Sequence, residues 1–280
     1  MFGTEDLLFN LRILANAGEE DSLGKLLKYI NAVNQALFII CLWKSPNISR
    51  FKFLTITLAN LMCAFAIMEK GALFFLLFTT LFVLYEKKKI KIRSILIWGG
   101  AVVFLFYGIN IARDSQENSA NNDASFLDFF AMYILSPPVA FEQVQEKLTP
   151  QFGSRTFAFF YAFASKMGWG TYVIEPKLQE FVQVPIYTNV YTVFQPFFED
   201  FGYKGVAFFS TVYGIFTGWL YRQFRNGGVI SRCLYAYVVE ILILQFFQEN
   251  LILSLSLLFQ YVIVFTLILQ QRISWTVKAK

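Results

Sequence analysis

Residues 233–272 read CLYAYVVEILILQFFQENLILSLSLLFQYVIVFTLILQQR. Two apolar runs, 233–247 and 251–270, flank a polar break of Gln248, Glu249 and Asn250, and three basic residues follow in the tail QRISWTVKAK. Coiled as α-helix, the second run is long enough to cross a hydrocarbon core of about 30 Å and the first nearly so. Working outward, the same grain recurs along the chain. Further spans are expected at 27–43, 53–68, 72–85, 95–112 and 206–221, which makes seven in all.

Composition agrees. With 56% hydrophobic residues, 19% aromatic and 15% charged, there is too little polar surface to cover a water-soluble globule of this size. The runs are continuous rather than alternating, which excludes an outer-membrane barrel. The expected fold is therefore all-α: a polytopic integral membrane protein with about seven transmembrane helices, a single membrane domain over 1–280.

The net charge of +5 does not point to nucleic acid, because the Lys and Arg residues sit in short connections between apolar runs, where they orient helices. KSPNISRFK, EKKKIKIR, RQFRNGGVISR and the C-terminal tail fall at every second connection. These define the cytoplasmic side and place the C-terminus there. The alternate connections face outward, and the long one, 113–200, carries ten acidic and five basic side chains. The head, 1–26, then lies outside with no helix before it to carry it across. That arrangement suggests either further transmembrane helices upstream or a natural N-outside protein whose short, lightly charged head is itself translocated. No cleavable signal peptide is expected, since the head carries acidic charge early and lacks a basic n-region.

The outer loop is not a polar linker. FLDFFAMYILSPPVAF and RTFAFFYAFASKMGWG are too short to span comfortably and too apolar to float, so both are expected as interfacial helices, the first ended by Pro137 and Pro138.

The chain has no histidine, and Cys41, Cys63 and Cys233 all lie in apolar runs. Metal centres, disulfides and Ser/His/Asp triads are not expected, and no cofactor is implied. Candidate chemistry falls on ionisable groups at the outer ends of helices, where a buried charge needs a partner or a job. Arg12, Lys70 and Arg113 are three such cations and would suit an anionic group such as a lipid pyrophosphate; snorkelling to headgroups is the plainer reading. Gln245, Gln248 and Glu249, at helical spacing, are expected on one face at the outer end of the sixth span, as a cavity wall or as interhelical glue. Glu240 lies deeper in the same span. Tyr187, Asn189, Tyr191, Gln195, Glu199 and Asp200 crowd together before the fifth span. Rings beside amides and carboxylates suit sugar faces and hydroxyls, although aromatics also populate membrane belts.

VPIYTNVYTVFQPFFEDFG, with its core of Asn189, Val190, Tyr191 and Thr192, resembles the most distinctive stretch of the oligosaccharide repeat unit polymerases, the O-antigen polymerase family of bacterial inner membranes. MYILSPPVAFEQ, 132–143, resembles that family's Tyr, Ser-Pro and Ala-Phe pattern in its large periplasmic loop. Lys70 with Gly71 is similar to a turn after a helix in members, and Arg113 to an arginine that opens the loop. Members usually have about ten or more helices, so the resemblance is to the C-terminal two-thirds of one, with Arg12 in a periplasmic segment. If the preceding helices are missing, activity is in doubt.

The resemblance implies a glycosyltransferase-type polymerase that transfers a growing glycan from undecaprenyl pyrophosphate to the next lipid-linked repeat unit at the periplasmic face, in lipopolysaccharide or related polysaccharide biosynthesis. Arg12, Lys70 and Arg113 would stabilise the leaving pyrophosphate, and Glu249 or Asp200 would act as general base. Tyr187, Asn189, Tyr191, Gln195, Gln245 and Gln248 would line the sugar site. Partners would be the undecaprenyl-pyrophosphate-linked oligosaccharides, membrane lipid, and a chain-length regulator and flippase of the same pathway. The alternatives are a transporter or flippase of lipid-linked oligosaccharide, which predicts broken helices in repeated halves that the sequence lacks, an O-antigen ligase, and a structural membrane subunit.

Overall fold

Continuous apolar runs with few interior breakers make helices, and the computed structural model is helical through most of what it describes: residues 22–67, 70–94, 97, 99–100, 126–147, 151–173, 175, 179–184 and 186–270. The helices are α1 (Ser22–Lys44), α2 (Arg50–Ile67), α3 (Lys70–Glu86), α4 (Phe126–Glu142), α5 (Ala158–Lys166), α6 (Gln195–Arg225), α7 (Val229–Ile243) and α8 (Leu255–Leu269). A small antiparallel hairpin, β1 (Val182–Val184) and β2 (Ile186–Thr188), pairs Val182 with Thr188 and Val184 with Ile186. The fourth expected span, 95–112, falls almost wholly outside the described residues. Among those residues one helical stretch, Val229–Phe246, is long and apolar enough to cross a membrane. Gly71–Glu86 and Leu255–Leu269 are apolar but shorter.

The chain divides into two compact units. The first comprises Met1–Val83, Gly218–Glu240 and Ser256–Lys280. Ser49 starts α2: its Oγ accepts the Lys52 N–H at 3.3 Å, the usual service of a serine to an otherwise orphaned helix-start donor. Asn60 then ties α2 to α1, its Nδ2 donating to the Asn34 carbonyl at 3.1 Å. Aromatic rings fill the interior. Tyr261 stands edge-on to Tyr237 at 4.5 Å and stacks with Phe75 at 6.4 Å, and its hydroxyl donates to Gln35 Oε1. Phe224 meets Phe82 at 5.7 Å and Tyr235 at 5.0 Å.

The second unit comprises Leu84–Thr217 and Ile241–Leu255. Its small apolar core is Ala140 from α4, Val184 from β1 and Tyr191, with Val144 and Val182 packed against them. Here one expectation is overturned. Pro137 and Pro138 do not end α4, which carries both inside it and runs on to Glu142. An interior proline forfeits a hydrogen bond and costs about 3 kcal/mol in an isolated helix. Burial of Pro137 and Ala140 offsets that loss, and Ser136 Oγ donates to the Val184 carbonyl at 3.5 Å, holding the segment to the hairpin. Nine-residue α5 buries none of its side chains: Phe160 and Phe163 are about half exposed.

Helix α6 begins at Gln195, earlier than the apolar pattern suggests, because its first two turns interrupt phenylalanines with Gln195, Glu199 and Asp200. It is two helices joined at Gly202, whose φ of 62° and ψ of −157° lie in a region essentially reserved for glycine. A Cβ there would also stand 2.3 Å from Glu146 Oε1. Gly202→Ala is expected to cost about 1–3 kcal/mol of unfolding free energy, read by denaturation of the detergent-solubilised protein. Adding Glu146→Ala should recover little, because the strain is in the backbone. An unchanged midpoint for the single variant would mean that the joint does not constrain the fold.

Candidate functional site

The first turns of α6 put Gln195 and Glu199 one helical turn apart on one face, and Gln195 Nε2 donates to Glu199 Oε1 at 2.9 Å. Both side chains are buried. A buried carboxylate needs a counter-charge, and Arg155 supplies it: Nε lies 2.6 Å from Glu199 Oε2, and both side chains are 7% exposed. The remaining guanidinium nitrogens reach Glu175, Nη2 to Oε2 at 3.8 Å, and Gln179 Oε1, which also accepts from Gln195 Nε2 at 2.7 Å. Lys147 Nζ lies 3.8 Å from Glu199 Oε2 with its side chain 42% exposed, and its backbone N–H donates to the Glu199 carbonyl at 2.8 Å.

Asp200, the next residue, takes a different job. Its Oδ1 accepts the Arg155 N–H at 3.3 Å and its Oδ2 the Thr156 N–H at 2.6 Å, so it caps the turn that carries the arginine. Thr156 Oγ1 returns a bond to the Pro196 carbonyl at 3.2 Å. Gly153, with φ of 59°, completes the turn in a space where a Cβ would lie 2.5 Å from the Phe157 ring.

The Asn-Val-Tyr-Thr segment runs beside this cluster. Thr188 Oγ1 accepts the Val190 N–H at 3.2 Å, and Val193 N–H donates to the Gln245 carbonyl at 2.9 Å. Tyr191 is buried, and its hydroxyl donates to the Glu180 carbonyl at 3.1 Å. Burial pushes the Tyr191 hydroxyl above its ordinary pKa, the negative charges of Glu199 and Glu180 push the same way, and Arg155 opposes them. It is a neutral hydrogen-bonding group at neutral pH.

Of the residues singled out by sequence, the structure brings Tyr191, Gln195, Glu199 and Asp200 into one neighbourhood. They lie partly within α6 rather than wholly before it. Asn189 is half-buried; Tyr187 lies on β2 with its side chain outside the described residues. Arg12 and Arg113 lie outside the described residues, and Lys70 opens α3 with its side chain outside them.

Gln245, Gln248 and Glu249 do not share a helical face. Helix α7 gives way to a 3-10 turn at Leu244–Phe246, and the helical stretch stops there. Gln248 is exposed and donates from Nε2 to Asn250 Oδ1 at 2.8 Å. Glu249 is buried and turns back on the chain: Oε1 accepts the N–H groups of Leu251 at 2.9 Å and Ile252 at 2.7 Å and the Tyr213 hydroxyl, and Oε2 accepts Leu253 N–H at 2.7 Å. Occupied in this way, residues 251–253 stay outside the following helix, and α8 starts at Leu255 instead of Leu251. Burial pushes the Glu249 carboxyl above the usual carboxylate range, and the three amides pull it back.

Arg155, Gln179 and Glu175 were not singled out from sequence. The signal was present in Arg155, a lone charge at the head of an apolar stretch, TFAFFYAFAS. Removing one partner from a buried ion pair leaves the other uncompensated. Arg155→Ala and Glu199→Ala are each expected to cost about 3–5 kcal/mol, and the double variant Arg155→Met with Glu199→Leu less than either. Thermal unfolding of the four proteins checks this; near-neutral single variants would show that the pair does not hold the unit together.

No protein-family model, curated protein or solved structure matches the chain.

Proposed function

We propose that the chain is a polymerase of lipid-linked oligosaccharide repeat units in the bacterial inner membrane, with its large loop periplasmic and its C-terminus cytoplasmic. The observation that carries the reading is that two stretches resembling this polymerase family, far apart in sequence, share one core: Ala140 of the Ser-Pro-Pro-Val-Ala-Phe stretch packs with Tyr191 of the Asn-Val-Tyr-Thr stretch. The Asp-Phe-Gly step, 200–202, caps the turn that carries Arg155 through Asp200 and breaks α6 at Gly202. The stretch Val229–Phe246 and the shorter apolar helices support a membrane setting. The alternation of basic connections supports seven spans. The bare aromatic side chains of α5 suit a helix lying at the membrane interface.

In this reading the sugar C1–O bond to undecaprenyl pyrophosphate breaks as a hydroxyl of the next repeat unit attacks C1. The hydroxyl proton passes to a base, and the pyrophosphate leaves on its lipid. Arg12, Lys70 and Arg113 meet the developing charge on that leaving group. Asn189 belongs to the sugar-facing wall, and Gln195, buried with its amide on Glu199 and Gln179, stands behind it. Arg155 and Glu199 are positioning residues, since their charges answer each other. Asp200 and Glu249 already accept several backbone amides each, so the first contribution of both is to hold the walls.

Complementation of an O-antigen polymerase deletion tests this, with the glycan resolved on a gel. The chain is expressed as it stands and joined to any segment encoded upstream. A restored ladder of long chains, lost on Arg113→Ala, is the expected result. Single-repeat material from both forms, with both present in the membrane, would overturn the polymerase reading in favour of transport. A ladder unchanged by Arg113→Ala would remove that residue from the pyrophosphate role.

A further inference from the structure

The connection after α3 reads Glu-Lys-Lys-Lys-Ile-Lys-Ile-Arg, 86–93: five cations and one acid in eight residues. The helix ends there in a tight reversal. Lys89 N–H donates to the Leu84 carbonyl at 2.9 Å and Lys88 N–H to the Tyr85 carbonyl at 2.8 Å, the paired bonds of a Schellman ending. The left-handed position of that motif, which glycine fills without strain, is held by Lys88 with φ of 55°. A lysine kept where glycine would be more stable is a reason to look for a task.

The reversal shapes a shallow hollow of about 570 Å³ lined by Tyr85, Glu86, Lys88, Ile90, Lys91 and Ile92. Lysines and isoleucines alternate around it, and Tyr85 and Ile92 are 45% and 64% exposed. Burial and then the neighbouring charge of Lys89 hold the Lys87 ammonium below its ordinary pKa. Orienting a helix needs lysines in the connection. It does not need a hollow that offers ammonium groups and bare aliphatic side chains together.

We propose that residues 85–92 form a seat for an anionic phospholipid headgroup: Lys88, Lys89 and Lys91 take its phosphate oxygens, and Ile90 and Ile92 lie against the start of its acyl chains. The seat rests on the membrane reading above, with this connection on the cytoplasmic side, and it is separate from any chemistry at the opposite face. Compact ammonium groups suit a phosphate as point charges, and a basic segment beside a membrane gains affinity with each lysine near an anionic surface.

The test uses the full chain purified in detergent, its thermal unfolding followed on titration with phosphatidylglycerol, phosphatidylcholine or inorganic phosphate. Phosphatidylglycerol is expected to raise the midpoint, phosphatidylcholine to do so far less, and added salt to weaken the difference. Lys88→Gln with Lys89→Gln and Lys91→Gln should weaken the phosphatidylglycerol response by roughly a hundredfold in concentration. Lys88→Gly guards against a triple variant that fails to fold: it should raise the midpoint without lipid, by relieving the left-handed residue, yet bind phosphatidylglycerol more weakly. Equal responses to the two lipids, or an undiminished response from Lys88→Gly, would overturn the proposal. A response to inorganic phosphate equal to that of the lipid would overturn the lipid as occupant. A carbonate wash of membranes separates the two readings: release of the chain would defeat the membrane setting and the seat with it. Retention with no lipid preference would defeat the seat alone.

Discussion

The ion pair between Arg155 and Glu199 is the constraint around which the second unit is arranged. Taking a guanidinium and a carboxylate out of water costs several kcal/mol for each, and their attraction repays this only when geometry is good and the spare donors and acceptors are met. The charged atoms lie 2.6 Å apart, with amides from Gln179 and Gln195 and a second carboxylate from Glu175 around them, while Arg155 Nε and Glu199 Oε2 themselves meet as an ion pair without hydrogen-bond geometry. Such a pair contributes modest net stability compared with an apolar replacement. It contributes more to uniqueness, because few arrangements of three separate chain segments satisfy every member at once.

Four consecutive residues, Glu199 to Gly202, do most of that arranging. Glu199 answers the guanidinium, Asp200 caps the turn that carries it, Phe201 packs on Phe152 at 5.0 Å, and Gly202 breaks the helix. The break separates a polar opening segment from the long apolar one. Without it, a single straight helix would have to place its buried carboxylate and its apolar stripe on one axis. The Asn-Val-Tyr-Thr segment is steadied from several sides, through the Ala140 and Val184 contacts, the Glu180 carbonyl and the Gln245 carbonyl. A segment so held offers its half-buried Asn189 from a fixed backbone, as the sugar-facing role proposed for it requires.

The first unit shows the same economy with polar groups in apolar surroundings. Asn60 bonds the Asn34 and Ile56 carbonyls, and the Tyr261 hydroxyl reaches Gln35, so one side chain in each case joins helices that apolar contacts alone would leave free to slide. The long apolar helices thereby keep register around the Phe75, Tyr237 and Tyr261 rings.

What the sequence by itself determined is the part that depends on local free energy. Transfer of an apolar run out of water is additive along the chain, so the helical class was readable residue by residue, as were the apolar run at 233–247, found within the helical stretch Val229–Phe246, and the crowding of polar groups before Gly202. Helix limits were less legible: α4 runs through Pro137 and Pro138, and α8 starts late because Glu249 claims the amides of residues 251–253. Both outcomes depend on partners that lie across a fold or behind a turn, and propensity carries no term for them. The candidate site divides in the same way. Tyr191, Gln195, Glu199 and Asp200 stood out as residue types, whereas Arg155 passed as the head of an apolar stretch. Only the tertiary structure decided that it meets Glu199, because the energy of a charge pair depends on distance through space and on the medium between the charges, and spacing along the chain encodes neither.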